Sequence, residues 1–148
     1  MTITEQIEQG ERLVGGRLKY LLKSQNFKDV SLYLGWGDEK LNEDGTFSPV
    51  LMDSPMIKVV GNESTPGDED DSRTIGITVT LETCQDEGPS IHRKREKSLD
   101  SKICEITREE TGTRSRWRWS LTRFNAESGA YQSEWVAIIS VDDPCFEC

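Results

Sequence analysis

Thr74-Ile75-Gly76-Ile77-Thr78-Val79-Thr80-Leu81-Glu82 decides the fold class. Ile75, Ile77, Val79 and Leu81 alternate with Thr74, Thr78, Thr80 and Glu82. Successive strand side chains point to opposite faces, so this rhythm predicts a half-buried strand with one face on a core. The same period of two returns near the C-terminus. Trp117, Trp119 and Leu121 alternate with Arg116, Arg118, Ser120 and Thr122; after Asn125-Ala126-Glu127-Ser128-Gly129 the pattern resumes as Trp135, Ala137, Ile139 and Val141. Two such runs about a turn containing glycine predict a long hairpin.

Upstream, Val30-Ser31-Leu32-Tyr33-Leu34 predicts a first strand, closed by Gly35-Trp36-Gly37. Met56-Ile57-Lys58-Val59-Val60 predicts a second, following the irregular stretch that Pro49 and Pro55 bracket. Asn42-Glu43-Asp44-Gly45 is turn chemistry, with glycine supplying a positive φ. Residues 62–72 hold Pro66-Gly67 and the run Asp68-Glu69-Asp70-Asp71 without periodicity, and read as a long, mobile, acidic loop.

Two segments have helical rhythm. Thr2 and Glu5 stand at capping-box spacing, and Ile3, Ile7, Val14, Leu18, Leu21 and Leu22 recur near the 3.6 period, which predicts an N-terminal helix ending near Gln25-Asn26. Gly10, Gly15 and Gly16 each weaken it by about 1 kcal/mol against alanine; they suit a close approach or a bend. In residues 89–107, Pro89 falls in a first turn and Ile91, Arg95, Leu99, Ile103 and Ile106 share one stripe. Read as a strand, Ile103 and Ile106 would face opposite ways, so helix is the better match. The expected architecture is one α+β domain over residues 1–148. An antiparallel sheet carries both helices, in the order α-β-β-β-α-β-β, and residues 142–148 form an irregular tail.

Charge narrows the function. The 27 acidic against 18 basic side chains leave a net charge of −9, which argues against general attraction to nucleic acid, because phosphate binding rests on a local excess of Lys and Arg. No stretch approaches the roughly 20 apolar residues of a membrane span, so no membrane partner is expected. Met1-Thr2-Ile3-Thr4-Glu5 lacks the regions of a signal peptide, so secretion is not expected. Of Cys84, Cys104, Cys145 and Cys148, the last two form one C-x-x-C without a second, and free thiols are expected rather than a zinc site.

The candidate chemistry is thin, and neither an enzyme nor a cofactor is expected. His92, the one histidine, sits in Ile91-His92-Arg93-Lys94-Arg95 with no nucleophile motif around it and reads as solvated on a helix face. Asp68, Glu69, Asp70 and Asp71 lack the alternation and closing glutamate of an EF-hand loop, and consecutive carboxylates mostly repel and solvate. Arg93, Lys94, Arg95 and Lys97 form a basic cluster that could touch phosphate. Arg114, Arg116, Arg118 and Arg123 lie beside Trp117 and Trp119, an arrangement that can stack bases. In period two, however, the tryptophans turn inward and leave an outward row of arginine donors. That row and the acidic run are opposite in sign, which suits copy-to-copy contacts in a ring.

The helix from Thr2, Val30-Ser31-Leu32-Tyr33-Leu34, Ser54-Pro55-Met56-Ile57-Lys58-Val59-Val60, the strand over 74–81, the following helix and the hairpin over 117–141 together resemble the tail-terminator or tail-completion proteins of tailed bacteriophages. The resemblance is one of architecture and covers most of the chain. It implies a virion protein, assembled in the host cytoplasm, whose homo-oligomeric ring caps the tail tube and meets the neck. Tail-tube and neck proteins would be its partners, and DNA would pass through the lumen without specific binding. No catalytic residue is carried over. The alternative class is an acidic inhibitor or immunity-type module that blocks a basic partner protein; it implies a one-to-one complex and no self-assembly.

Overall fold

The computed structural model describes residues 2–35, 39–48, 55–66, 72–109, 115–125 and 129–142. The elements are α1 (Ile3–Leu18), short 3-10 turns at Lys19–Lys23 and Gln25–Phe27, β1 (Ser31–Leu34), β2 (Glu39–Leu41), β3 (Phe47–Ser48), β4 (Met56–Pro66), β5 (Ser72–Cys84), a 3-10 turn at Gln85–Glu87, α2 (Pro89–Glu109), β6 (Ser115–Asn125) and β7 (Ala130–Asp142). One seven-stranded sheet runs in the order β3-β2-β1-β4-β5-β7-β6. The class is α+β, with both expected helices and the expected C-terminal hairpin, β6–β7.

β5 has partners along both edges, β4 on one side and β7 on the other. Ile75, Ile77, Val79 and Leu81 are all buried and join Val14, Leu18, Leu32, Leu34, Ile57, Val59, Leu99, Ile103, Ile106 and Trp135 in one core. Both helices lie on this face. A Cβ on Gly10 of α1 would come 2.8 Å from Ile77 Cδ1, and His92 of α2 meets Thr83, two positions beyond Leu81 on the same face. The period-two reading of β5 therefore assigns its faces correctly.

Four expectations are corrected. The sheet is mixed rather than antiparallel, because β1 pairs with β4 in parallel, Leu32 opposite Ile57. A parallel pair needs a long crossover, and the chain between β1 and β4 supplies one through β2 and β3, which are too short to show a rhythm. The acidic loop is narrower than 62–72: Asn62–Pro66 continue β4 past a bulge between Gly61 and Glu63, and Ser72 opens β5. Pairing to β5 overrides the poor strand propensity of Asn-Glu-Ser-Thr-Pro, and residues 67–71 fall outside the described ones. The tail begins later than 142, since Asp142 pairs with Ser72. The α-helix of the N-terminal segment ends at Leu18, and the chain reaches Phe27 through 3-10 turns rather than a continuous helix.

Other local expectations hold. Thr2 Oγ1 accepts the Glu5 amide at 3.1 Å, which caps α1. Gly45 has φ +89 and donates its amide to the Asn42 carbonyl, closing the expected turn between β2 and β3.

Close approach of α1 to the sheet explains two glycines. A Cβ on Gly15 would collide with Leu34 Cδ2, and one on Gly61 with Ile7 Cγ2 and, at 3.4 Å, the Ile7 carbonyl. β1 ends where the Gly35 amide reaches the Val59 carbonyl. The next β4 amide on that edge belongs to Gly61, and the buried Glu11 carboxylate of α1 accepts it at 2.7 Å. Burial pushes the Glu11 carboxyl above the usual carboxylate range, and the Gly61 bond opposes that rise.

We predict that Gly61→Ala destabilises the fold by about 1–3 kcal/mol in urea unfolding, because the stiff Ile7 side chain and backbone must move. Gly16→Ala, where a Cβ meets nothing within 4 Å, should instead stabilise by about 0.5–1 kcal/mol through helix propensity. Equal effects at the two sites would overturn the close-approach account.

Candidate functional site

The densest group of polar side chains lies where α2 meets β5 and β7. His92 is 1% exposed, and Thr83, Ser133, Arg95 and Glu96 are buried beside it. The reading of His92 as solvated is thus corrected: it falls on the inner side of α2 between Ile91 and Arg95, facing the sheet. Its Nδ1 lies 2.8 Å from Thr83 Oγ1 and its Nε2 2.9 Å from Ser133 Oγ. Ser133 Oγ also hydrogen-bonds to Glu96 Oε2, and Arg95 Nη1 donates to Thr83 Oγ1 at 3.2 Å.

The contact of Ser133 with Glu96 sets the proton direction on the Nε2 side of the ring. A carboxylate only accepts, so the Ser133 hydroxyl gives its hydrogen to Glu96 and accepts from His92 Nε2–H. Burial favours the neutral ring, in which Nε2 carries the hydrogen and Nδ1 accepts from the Thr83 hydroxyl, itself an acceptor for Arg95; the cluster runs Arg95, Thr83, His92, Ser133, Glu96. Burial lowers the His92 pKa below 6.5, the adjacent Glu96 opposes this, and Arg93 and Arg95 add to it.

The two ends of the chain are ion-paired. Arg95 forks onto Glu87, with Nη2–Oε2 at 2.6 Å and Nη1–Oε1 at 3.1 Å, and donates Nε–H to the Asn26 carbonyl at 2.6 Å. This bidentate pairing holds the Glu87 carboxyl below the usual range. Arg93 pairs with Glu96 at 3.0 Å. Trp135 Nε1 adds a 3.3 Å bond to Asp100 one turn further along α2. Arg95 is therefore withdrawn from the expected surface cluster, while Arg93, Lys94 and Lys97 are exposed.

Serine, histidine and glutamate within bonding distance invite comparison with a nucleophilic triad, but the roles are wrong. A nucleophilic serine must give its proton to histidine. Here Ser133 gives it to Glu96, is 1% exposed, and accepts from the ring. The chemistry of this cluster is structural: it satisfies buried polar groups and fastens α2 to the sheet.

Of the expected interface residues, Asp68, Glu69, Asp70, Asp71 and Arg114 lie outside the described residues, as do Cys145 and Cys148. Pro66 and Ser72 bracket the acidic run at one end of the sheet. Arg116, Arg118 and Arg123 lie on β6, an outer strand, where backbone register pairs them with Ile138, Val136 and Gln132. Their side chains, and those of Trp117 and Trp119, are outside the description. Cys104 is an exposed free thiol, and Cys84 is half-buried at the end of β5. Among the described residues, no group of His, Cys, Asp and Glu converges as a metal site, and no helix is long and apolar enough to cross a membrane.

The surface offers two further features. On the sheet face away from the helices, Tyr33, Met56 and Val60 are buried, whereas Thr74, Thr78, Thr80, Gln132, Glu134 and Val136 are half-buried and Ile138 is 40% exposed. At the end of α1, Tyr20 is 57% exposed. The ammonium groups of Lys19, Lys23 and Lys102 lie 5.6, 5.8 and 5.9 Å from its ring centre.

Linkage assigns the pH dependence of the polar cluster. A histidine with a depressed folded pKa contributes stability that is full above its unfolded value of 6.5 and is lost as pH falls through the folded value. Glu87 acts in the same direction, with stability present above 4.5 and lost as pH falls further. We predict that wild-type stability declines on acidification in a step that begins below pH 6.5 and that His92→Gln removes, as read by urea midpoints across pH. Ser133→Ala should destabilise by about 1–3 kcal/mol, because it leaves a buried donor and a buried carboxylate short of a partner.

No protein-family model matches this chain, and no curated protein matches it in sequence.

Proposed function

We propose that this chain is a structural protein that acts by assembling with copies of itself and with neighbouring proteins, as a ring component of the tail-terminator type. One observation carries the preference for assembly over catalysis. The described cluster that most resembles catalytic machinery, His92, Ser133 and Glu96, is sealed inside and held by hydrogen bonds within the fold. What remains for other molecules is surface: the half-exposed sheet face around Val136 and Ile138, and the cationic aromatic patch at Tyr20. Two helices on one face of the sheet leave the β7 part of the other face, around Val136 and Ile138, partly open to contact, which suits a subunit packed between neighbours. A net charge of −9 suits a lumen through which DNA passes without adhering.

The test is oligomeric state. Light scattering coupled to size exclusion, with negative-stain images of the same fractions, is expected to give one discrete species larger than a monomer and ring-shaped particles that bind purified tail tubes. A monomer at millimolar concentration that ignores tail tubes overturns the reading. A tight one-to-one complex with a basic protein, without self-association, would establish the inhibitor class instead.

A further inference from the structure

We propose that His92 works a pH-sensitive latch: when its ring takes up a second proton, the first half of α2, residues 89–97, lifts from the sheet while the second half stays docked. The buried side chains of the helix divide at that point. In residues 89–97 they are His92, Arg95 and Glu96, all polar; in residues 98–106 they are Leu99, Ile103 and Ile106, all apolar. Pro89 and Ser90 are exposed and Ile91 is half-buried. The first half is thus held chiefly by hydrogen bonds and ion pairs, and the second by apolar packing that acid leaves unchanged. Ser98 stands at the junction, where its hydroxyl donates to the Lys94 carbonyl at 3.2 Å. Such bonding back by one turn competes with the helical ladder and bends helices, which gives α2 a place to hinge.

The charged groups that face His92 are already matched. Arg95 is forked onto Glu87 of the 3-10 turn, and Arg93 is paired with Glu96. Tyr131 of β7 lies against the imidazole with 5.9 Å between ring centres, and Thr83 and Ser133 bring no charge. A second ring proton is therefore the unmatched charge of the cluster. It also lands against the wrong partner. Thr83 Oγ1 lies 2.8 Å from Nδ1 and accepts from Arg95 Nη1 at 3.2 Å. Imidazolium and guanidinium nitrogens would then stand no more than about 6 Å apart on one neutral oxygen, both buried, and like charges at that range disfavour ionisation. Glu96 Oε2, 3.8 Å from Nε2, favours charging, but it is shared with Arg93 and Ser133, and burial outweighs it. Lifting the first half carries the charged ring away from Thr83 and into solvent. It also uncovers Tyr131, whose ring centre lies 5.2 Å from that of the exposed Phe124, so acid bares an aromatic pair at the end of the β6–β7 hairpin.

By linkage, an open form that titrates at the ordinary value of 6.5 and a closed form that titrates below it make opening more favourable as pH falls through 6.5. The gain is up to about tenfold per pH unit until the closed form's own value is reached. Glu87, with its carboxyl held below the ordinary range, stays charged over this span. Hydrogen exchange of the full chain, followed by mass spectrometry and corrected for intrinsic rates, reads the opening segment by segment. Between about pH 7.5 and pH 5.5, protection of residues 89–97 is expected to fall by about threefold to tenfold, while residues 98–106 and β5 stay within about twofold. His92→Gln keeps a carbonyl for Thr83 and an amide N–H for Ser133 but takes up no proton, and its protection should be flat over the same span. Because the chain has one histidine, ring-nitrogen shifts in NMR report its state alone and should show the neutral Nε2–H form at about pH 7.5. Protection that falls equally in both halves of α2 and in β5 means global unfolding and overturns the latch. Protection of residues 89–97 that ignores pH means that the imidazolium pairs with Glu96 inside the closed fold, and overturns it too. A fall that persists in H92Q assigns the opening to another group and sinks the proposal.

Discussion

The rest of the structure depends on β5 being paired along both edges while one of its faces is dry. Backbone amides and carbonyls withdrawn from water must bond to something, and β7 supplies partners from Ser72 to Cys84 while β4 supplies them from Arg73 to Glu82. With the ladders complete, Ile75, Ile77, Val79 and Leu81 can be buried without stranding polar groups. They form the surface on which both helices settle. α1 comes close enough that a side chain at position 61 would press on the Ile7 side chain and its carbonyl, while one at position 15 would displace the end of Leu34. α2 is held instead by a file of polar contacts at its first turns and by apolar packing of Leu99, Ile103 and Ile106 further on.

That division of labour explains why a surface-rich, polar chain still places five polar side chains where α2 meets the sheet. A buried network is stabilising only if each member is satisfied. Here the cation at one end, the anion at the other and the neutral imidazole between them are mutually consistent, with one proton per link. The arrangement also ties together segments distant in sequence: Asn26, Thr83, Glu87, His92 and Ser133 meet through it. It fixes where α2 begins and how it is turned about its axis, which apolar contacts alone would leave less defined.

The period of two in β5 and at the C-terminus, and the 3.6 period of the helices, were readable because burial on one face imposes them residue by residue. β2 and β3 were not readable, since three and two residues cannot carry a rhythm. The parallel pairing of β1 with β4 is a property of the path between them, and neither segment encodes it locally. The extension of β4 through Asn62–Pro66 comes from its neighbour and runs against its own composition. His92 was misread because its neighbours Arg93 and Lys94 are indeed solvated. The available signal was Arg95, a charged residue on an otherwise apolar stripe, which implies a buried partner. His92 with Glu96 at i,i+4 points the same way. Thr83 and Ser133 looked like ordinary strand residues, and only the β5–β7 register brings both beneath one imidazole.

The strand order β4-β5-β7-β6 also has a consequence in time. β4 and β5 are adjacent in sequence and can zip as soon as both exist, but the other edge of β5 waits for β7, which begins at Ala130, 46 residues after Cys84. At ribosomal rates of about 5–20 residues per second, that edge stays open for some seconds. An apolar strand with free backbone groups is a template for the wrong partner. During that interval α2, which emerges first, can cover the apolar face of β5, but the backbone groups along the open edge stay exposed until β7 pairs with them.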